Sequence, residues 1–545
     1  MSAWTQIYDP IGGSIGISAL VAGIPIYALF YLLAIKKMKG HVAGGIASAL
    51  ALLLGILVWG IPASTAIGSY TYGFVFGLFP IVWIVVTAIW VYNMTVESGE
   101  FEIIKNSLSC ITDDRRLQAV FIGFAFGSFI EGTAGFGTPV AITAAMLAGL
   151  GFNPLYAAGI CLLANTAPVA FGAVGIPITA LAKATGLNEM AISQIVGRQL
   201  PILSIIVPIW LSVTMCGFKR TMEVIPALLV AGVAFAGTQF VMANYHGPTL
   251  PDIASAIVTI VVLWGFLRVW KPKKVFHFPD EPAPTGPAVC NYSSGEIIRA
   301  WMPYLILAIL VLIQGWPTIK PELAKAFTVN IEWPLYHNMV ASLVGGVAKA
   351  KPAIYAFQPL AAAGTAILLS GILALFIIPN YGVGKAIACF GKTIHQLRWP
   401  IVSIGNIVGL AYIMNANGMS TTLGLALAGT GALFPFFAPI LGWLGVFLTG
   451  SDTSSNLLFG NLQKTTAQAI GVSPELCAAA NTSGGVTGKM ISPQSISVAV
   501  AATGLHGKDG DIFRFTLWHS VAMVLFISCL TMLMAYPLKW MLPIH

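Results

Sequence analysis

Residues 129–138 of this 545-residue chain read FIEGTAGFGT, and residues 447–456 read FLTGSDTSSN. Each stretch is embedded in long apolar sequence, and each is followed by the same later features. These features are GFNP at 151–154 and GVSP at 471–474, Asn165-Thr166 and Asn481-Thr482, and Pro177 and Pro493. We name residues 129–177 cassette 1 and residues 447–493 cassette 2. Duplicated apolar segments that glycine and proline interrupt at corresponding positions of two halves are typical of the binding region of a secondary transporter.

The composition around the cassettes is that of a membrane protein. Hydrophobic residues make up 57% of the chain and charged residues only 8%, whereas about a quarter of the residues in soluble domains are charged. Apolar runs that can span a hydrocarbon core of ~30 Å recur throughout, so we expect an all-α polytopic fold with about 12–14 transmembrane segments. The net charge of +8 resides mostly in short loops, so no nucleic-acid partner is expected. The seven cysteines show no metal-ligand spacing and suggest no disulfide framework.

The basic residues orient the chain. They place the loops at 36–39, 97–117, 219–220 and 268–274 inside, because short cytoplasmic loops are enriched in lysine and arginine. The N-terminus is then outside, and so is the polar loop 317–360, although that loop carries four lysines. This orientation predicts two inverted halves, 1–220 and 298–545, joined by the linker helices and cytoplasmic loop of 221–297.

Crossing parity predicts a re-entrant segment in the first half. Between the inside loop at 97–117 and the inside pair at 219–220, the blocks 118–150 and 154–182 must together cross the membrane an odd number of times. One block therefore crosses and the other is re-entrant, and the sequence leaves open which. Non-helical backbone at that depth survives only where it is buried in protein or lines a watered cavity, so we expect the cassettes to form that cavity.

Three charged residues lie within the polar motifs of the cassettes. An ionisable side chain at the bilayer centre costs at least about 2.5 kcal/mol, so Glu131 and Asp452 are the candidate proton-coupling residues, although Glu131 could also be a structural anchor. The polar run 451–456 suits an opened helix whose free N–H groups face an anion, or else a polar turn outside the membrane. Lys489 could pair with a substrate carboxylate or with Asp452, or extend its ammonium to the interface.

The other candidate ligands are neutral. The complete set of candidate substrate-binding residues is Asn165, Thr166, Ser451, Thr453, Ser454, Ser455, Asn456, Asn481, Thr482, Lys489 and Gln494. Arg198, Arg514 and Lys464 are expected to be interfacial anchors. The histidines form no pair with ligand spacing, the glycine-rich runs follow no strand, and no nucleophile–base set is present. We therefore expect neither an enzyme nor a metal or organic cofactor, and the proton is the expected coupling ion.

At the cassettes the sequence resembles the bacterial lactate permease family. The resemblance runs nearly end to end, and it is carried by EGTAGFG at 131–137, PVAITAA at 139–145, NTAPVAFG at 165–172 and GGVTGKMISPQS at 484–495. It implies proton-coupled uptake of L-lactate and related 2-hydroxy monocarboxylates, such as D-lactate and glycolate, across the bacterial inner membrane. The implied partners are these substrates and membrane lipid, and a homodimer is allowed.

Without the resemblance, the residues alone indicate an anion or cation–anion symporter. A sodium-coupled di- or tricarboxylate carrier would show sodium-dependent uptake and a second cationic contact for the second carboxylate. A membrane redox subunit would show paired axial histidines, which the sequence lacks. An open channel is disfavoured by the paired broken helices.

Overall fold

The chain forms a bundle of long helices, as the composition predicts. The computed structural model describes residues 3–36, 38–133, 135, 138–278, 291–316, 318–344, 347–505 and 508–543. Within these ranges ten helices are long and apolar enough to cross a membrane, or eleven if one bent pair is counted as a span. The all-α polytopic class is confirmed. The count is below the expected 12–14 because several cassette helices are too short to span alone.

Helices account for nearly all of the first part of the chain. In chain order up to residue 269 they are Ile15–Ala22, Ile24–Phe30, Gly40–Leu57, Ala63–Phe76, Trp83–Glu97, Glu100–Ser109, Arg115–Gln118, Gly127–Thr133, Thr138–Gly149, Pro154–Ala164, Gly172–Thr185, Glu189–Thr221, Ile225–Tyr245 and Pro251–Val269. Wider π-helical turns at Tyr31–Ile35, Gly77–Val82 and Ala119–Phe126 continue the neighbouring helices.

The second part repeats this helical character around one polar insertion. Its helices are Ser294–Gly315, Ile319–Ala326, Ala363–Ala374, Val383–Ala416, Met419–Leu427, Phe434–Thr449, Asp452–Ile470, Pro474–Gly488, Pro493–Thr503 and Asp509–Ala535. Short 3₁₀ turns occur at Val169–Phe171, Ala428–Leu433, Lys489–Ile491 and Lys539–Met541.

The two cassettes have the same order of elements. Each begins with two helices that fold back on each other: hairpin 1 runs from 115 to 149 and hairpin 2 from 434 to 470. Each continues with a helix that is interrupted near its middle. Broken helix 1 comprises Pro154–Ala164 and Gly172–Thr185, with a bend of 62° between its parts. Broken helix 2 comprises Pro474–Gly488 and Pro493–Thr503.

The repeated Asn/Ser-Pro pairs of the sequence are helix starts. Asn153 precedes Pro154 and accepts a hydrogen bond from the Leu155 N–H at 2.9 Å. Ser473 before Pro474 and Ser492 before Pro493 cap their helices in the same way. A capping oxygen satisfies a free N–H of the first turn, and proline at the first helical position lacks the N–H that would otherwise be unpaired. The cassettes share these residues because both restart helices at these points.

Hairpin 1 answers the question that crossing parity left open. A Cβ placed on Gly151, just after the hairpin, would lie 3.4 Å from the Arg115 guanidinium at its start. Both ends of hairpin 1 therefore lie together, so the block 118–150 is the one that turns back, and the block 154–182 is the bent helix. Ala134, Phe136 and Gly137 lie outside the described residues. Inversion of the two halves stays a prediction.

The polar loop 317–360 contains strands that the sequence did not predict. Val329–Glu332 pairs antiparallel with Ile354–Phe357, and Val340–Val344 pairs antiparallel with Val347–Ala350. The N-terminal strand Trp4–Thr5 runs parallel to Val340–Val344. We call residues 329–357 the β cap. Because the N-terminus pairs with the β cap, both lie on one face of the bundle, as the charge-derived orientation requires.

Loops predicted to be inside contact one another on the opposite face. The Arg115 N–H donates to the Phe276 carbonyl at 3.1 Å, and Lys392 pairs with Glu97 at 2.9 Å. Arg116 bonds Asp114 at 2.6 Å and Glu223 at 2.9 Å. These contacts join loops that are far apart in sequence.

On this face Cys110 is disulfide-bonded, so the expectation of a chain without disulfides was wrong. The spacing of the cysteines carried no signal for this bond.

Candidate functional site

The two cassettes meet at an ion pair. Lys489 Nζ lies 2.7 Å from Glu131 Oε1, and the two side chains are 9% and 4% exposed. Glu131 comes from the inner part of hairpin 1, and Lys489 is the first residue of the 3₁₀ turn that interrupts broken helix 2. The sequence left open whether Lys489 binds a substrate carboxylate, pairs with Asp452 or extends to the membrane interface. In the structure it neither pairs with Asp452 nor extends to the interface. The lysine at the break of broken helix 2 and Asn165 at the break of broken helix 1 thus contact the same carboxylate.

Cassette 1 supplies the second contact to Glu131. Asn165 Nδ2 donates to Glu131 Oε2 at 2.9 Å, so both carboxylate oxygens are engaged. Asn165 is the C-cap residue that follows the first part of broken helix 1, where the chain leaves the helix. Asn165 Oδ1 and the adjacent Thr166 hydroxyl are buried without a hydrogen-bond partner. These two groups are therefore available to a ligand, and their role in substrate binding stays a prediction.

The backbone beside Glu131 is strained. Ala173 and Val174 have φ values of 43° and 59°, and Gly175 follows at 74°. Non-glycine residues rarely adopt positive φ, least of all β-branched valine, and such strain tends to occur at functional sites. Gly172 allows the close approach, because a Cβ there would lie 2.7 Å from Glu131 Oε1.

We call the region around Glu131 and Lys489 the centre. Asp252 is a third acid there, after Glu131 and Asp452, and the sequence did not indicate it. It lies in the first turn of Pro251–Val269, in the segment assigned only as a linker, and is 1% exposed. Neither of its carboxylate oxygens has a hydrogen-bond partner. A Cβ on Gly132 would lie 2.8 Å from the Asp252 Cβ, so the acid packs directly against hairpin 1. Its signal in the sequence was a lone acid at the start of an apolar run, which resembles an ordinary helix N-terminus.

Asp452 begins the second helix of hairpin 2. It is 4% exposed; Asn456 Nδ2 approaches its Oδ2 at 3.5 Å, and its Oδ1 has no partner. Ser451 caps the helix by accepting from the Ser454 N–H at 3.2 Å. The run 451–456 is thus a helix N-terminus inside the bundle. The alternative of a polar turn outside the membrane was wrong.

Several predicted ligands instead bond to one another. Asn456 Nδ2 donates to the Thr482 hydroxyl and to the Pro177 carbonyl, the latter at 3.2 Å. Asn481 Nδ2 donates to Asn456 Oδ1 at 2.9 Å, and the Ser455 hydroxyl donates to the Gly442 carbonyl at 3.1 Å. In this state these side chains hold hairpin 2, broken helix 2 and broken helix 1 together.

A cavity of about 930 Å³ reaches the tip of hairpin 2. Ser451, Ser454 and Gln494 line it, and Lys39 and Asp509 line its other end, on the face predicted to be inside. Thr453, in the same helical turn, is partly exposed. The cavity therefore connects that face with the helix N-terminus at Ser451, which presents N–H groups and a positive dipole end.

The expected anchors make backbone contacts at the edges of the bundle. Lys464 Nζ donates to the Thr185 carbonyl at 2.7 Å. Arg198 donates to Asn244 Oδ1 at 2.9 Å and to the Met541 carbonyl at 2.6 Å. Neither residue approaches the Glu131–Lys489 pair. Among the described residues, no group of three or more histidine, cysteine or acidic side chains could hold a metal ion.

Comparison with known proteins gives consistent results over nearly the whole chain. The sequence profile described as L-lactate permease matches residues 18–538. The chain is 49% identical to the L-lactate permease of Bacillus subtilis, covering 99% of this chain and 100% of that protein. It is 52% identical to the glycolate permease GlcA of Escherichia coli K12, with the same coverage. Among solved structures, the Alcanivorax borkumensis YdaH transporter aligns over 88% of this chain and 89% of its own, with a TM-score of 0.45 and 14% identity.

Proposed function

Because this chain belongs to the L-lactate permease family, and is thus a multi-pass membrane transporter and not an enzyme, we propose that it imports L-lactate, D-lactate or glycolate together with a proton across the bacterial inner membrane. The observation that carries the proposal is the buried pair of Glu131 and Lys489. In this pair the lysine of the GGVTGK motif lies opposite an acid that a proton can neutralise.

The pair links substrate binding to protonation. While Glu131 is ionised, it occupies Lys489 and leaves no free positive charge for a substrate carboxylate. A carboxylate that takes Lys489 displaces Glu131, and removing one partner of a buried ion pair costs about 3–5 kcal/mol because the other charge remains buried. A proton on Glu131 removes that charge. Binding of the monocarboxylate to Lys489 is therefore favourable only when Glu131 also binds a proton.

The neutral groups of the cassettes complete the binding site. Thr166 and the Asn165 carbonyl oxygen lie unpaired beside the pair, and they suit the substrate's hydroxyl group. Ser451, Ser454 and Gln494 line the cavity on the side predicted to be inside. They suit a carboxylate that leaves Lys489 toward the cytoplasm, since each neutral hydrogen bond contributes about 1 kcal/mol net.

The test is uptake of labelled L-lactate into proteoliposomes under an imposed proton gradient, an imposed sodium gradient, or neither. We expect accumulation only with the proton gradient. Accumulation that requires sodium would overturn proton coupling and would favour the sodium-coupled carrier.

Two variants test the roles of Glu131 and Lys489 in the same assay. Glu131→Gln should lose proton-driven accumulation and keep exchange of lactate between equilibrated compartments, because its side chain mimics the protonated acid. Lys489→Met should lose both. Lys464→Met, which removes a lysine that bonds only the Thr185 carbonyl, is the matched control. A Glu131→Gln protein that still concentrates lactate at the normal rate would exclude Glu131 as the coupling residue.

A further inference from the structure

A second cavity lies on the opposite side of the bundle from the one at Ser451. Its volume is about 400 Å³, and its lining includes Lys183, Thr179, His246 and Lys320 together with Phe76 and Phe79. Tyr355 of the β cap donates to the Phe79 carbonyl at 2.9 Å. The cavity is therefore on the face of the N-terminus and the β cap, which the charges predict to be outside.

Lys183 is the unusual group in this cavity. Its ammonium lies 5.7 Å from the centre of the Phe76 ring, and no ion pair joins it to an acid in the part of the chain that the structure describes. The acid Glu189 also lines the cavity, where it is paired with Lys320 at 3.5 Å. The Lys183 side chain is exposed to the cavity, so its ammonium against the aromatic ring is accessible to an anion.

Two other polar side chains of this cavity are engaged by backbone carbonyls. Gln314 Nε2 donates to the Ala361 carbonyl, and His246 Nε2 bonds the Leu312 carbonyl at 3.1 Å. With Lys320 paired, Lys183 supplies the charge that remains for a ligand. A single free cation among apolar and aromatic walls suits a small anion with one carboxylate. A second carboxylate would be buried against Phe76 and Phe79, which is unfavourable.

One helix connects this cavity to the central pair. Lys183 lies near the end of Gly172–Thr185, and the start of that helix packs against Glu131. From the end of the strained turn at Gly175 to Lys183, the rise of an α-helix gives about 12 Å. About two turns of one helix therefore separate Lys183 from the strained turn beside Glu131.

We propose that Lys183 forms an outer docking site for small monocarboxylates, which bind there before they reach Lys489. This inference rests on the proposed function, because it assumes that the substrate arrives from the face of the β cap. The site raises the local concentration of the anion, which affects the apparent affinity more than the maximal rate.

Sided transport kinetics test the proposal. Uptake of labelled L-lactate is measured in right-side-out and in inside-out membrane vesicles that carry the protein, with the wild type, Lys183→Met, Lys183→Arg and the control Lys325→Met, which breaks an exposed pair with Glu322 outside the cavity. We expect Lys183→Met to raise the apparent KM about tenfold from the outer side, the loss of one charge-assisted hydrogen bond. The KM from the inner side and both maximal rates should change little. Lys183→Arg should restore the outer KM, and Lys325→Met should leave it near the wild-type value.

The outcomes separate this inference from the proposed function. An unchanged outer KM in Lys183→Met, or an equal change from both sides, overturns the docking site. If the wild type does not respond to a proton gradient in the same vesicles, the proposed coupling is overturned. The docking site is then still judged by comparing the outer and inner KM of Lys183→Met with those of the wild type. If Lys183→Met is absent from the membrane, Lys183→Gln at matched expression replaces it under the same criteria.

Discussion

At the scale of single residues, the centre depends on the close approach of Lys489, Asn165 and Gly172 to Glu131. Glu131 has both oxygens engaged, by Lys489 and Asn165, and Gly172 faces it without a side chain. Such contacts leave no room for an added methyl group, because a Cβ essentially never lies within 3.0 Å of another heavy atom unless something shifts.

Gly172→Ala should therefore disable transport. The new Cβ would lie 2.7 Å from Glu131 Oε1 and 3.2 Å from its Cγ, and it would push the carboxylate away from Lys489. We expect the maximal rate of proton-driven lactate uptake to fall at least tenfold at matched expression. Gly237→Ala is the control, since a Cβ at Gly237 meets nothing within 4 Å. Normal uptake by Gly172→Ala would show that the pair does not need its observed geometry.

Asp252 should tolerate an amide. An ionised carboxylate with two buried oxygens and no donor costs several kcal/mol, so the surroundings of Asp252 accept only the neutral acid, to which asparagine is nearly isosteric. We expect Asp252→Asn to keep the apparent Tm of the purified protein in detergent. Asp252→Glu should lower it, because the extra methylene presses on Gly132 and overpacking costs about 1–3 kcal/mol. A large loss of stability in Asp252→Asn would show that the acid is charged in the folded protein.

At the scale of elements, the cassettes are held by contacts at the ends of their helices. Hairpin 1 starts at Arg116, which is fully buried and bonds Asp114, Glu223 and the carbonyls of Arg220 and Lys274. One guanidinium thus ties hairpin 1 to the end of Glu189–Thr221 and to the loop after Pro251–Val269. Asp114 also caps the first turn by accepting from the Arg116 N–H at 3.0 Å.

Arg116→Met should destabilise the protein strongly. It leaves the buried Asp114 carboxylate without its counter-charge, and breaking a buried pair in this way costs about 3–5 kcal/mol. The apparent Tm in detergent should fall clearly, together with the amount of protein in the membrane. The comparison is Lys392→Met, which breaks the exposed pair with Glu97 and should change the Tm little, because exposed pairs are weak. Equal effects of the two changes would contradict the anchoring role.

At the scale of the whole molecule, the charges of the centre set the electrical behaviour of transport. One monocarboxylate and one proton cross together in the proposed cycle, so no net charge moves. The membrane potential acts only on net charge that crosses, at about 2.3 kcal/mol per charge for each 100 mV.

Lactate accumulation should therefore follow the pH gradient and not the voltage. In proteoliposomes with potassium and valinomycin, an imposed inside-negative potential without a pH gradient should produce no accumulation. A pH gradient of one unit should give about a tenfold concentration ratio, because one proton moves with each lactate. Accumulation driven by the inside-negative potential would indicate more than one proton per substrate, and exclusion of lactate would indicate anion transport without a proton.

The sequence by itself determined the membrane class and the repeated cassettes, and it singled out Glu131, Asp452 and Lys489 as candidates without Asp252. Composition and the energetic cost of buried charge are local properties, so they can be identified without coordinates. The helix starts at Pro154 and Pro474 were likewise present in the sequence as capping pairs.

Only the tertiary structure decided which groups meet. It paired Lys489 with Glu131 in place of Asp452, placed Asp252 of the linker at the centre, and engaged Asn456, Asn481 and Thr482 with one another. It also built strands in the loop 317–360 and brought Lys183 into a cavity without a counter-ion. These outcomes depend on contacts between segments hundreds of residues apart, and neither periodicity nor local spacing contains the distance between such segments.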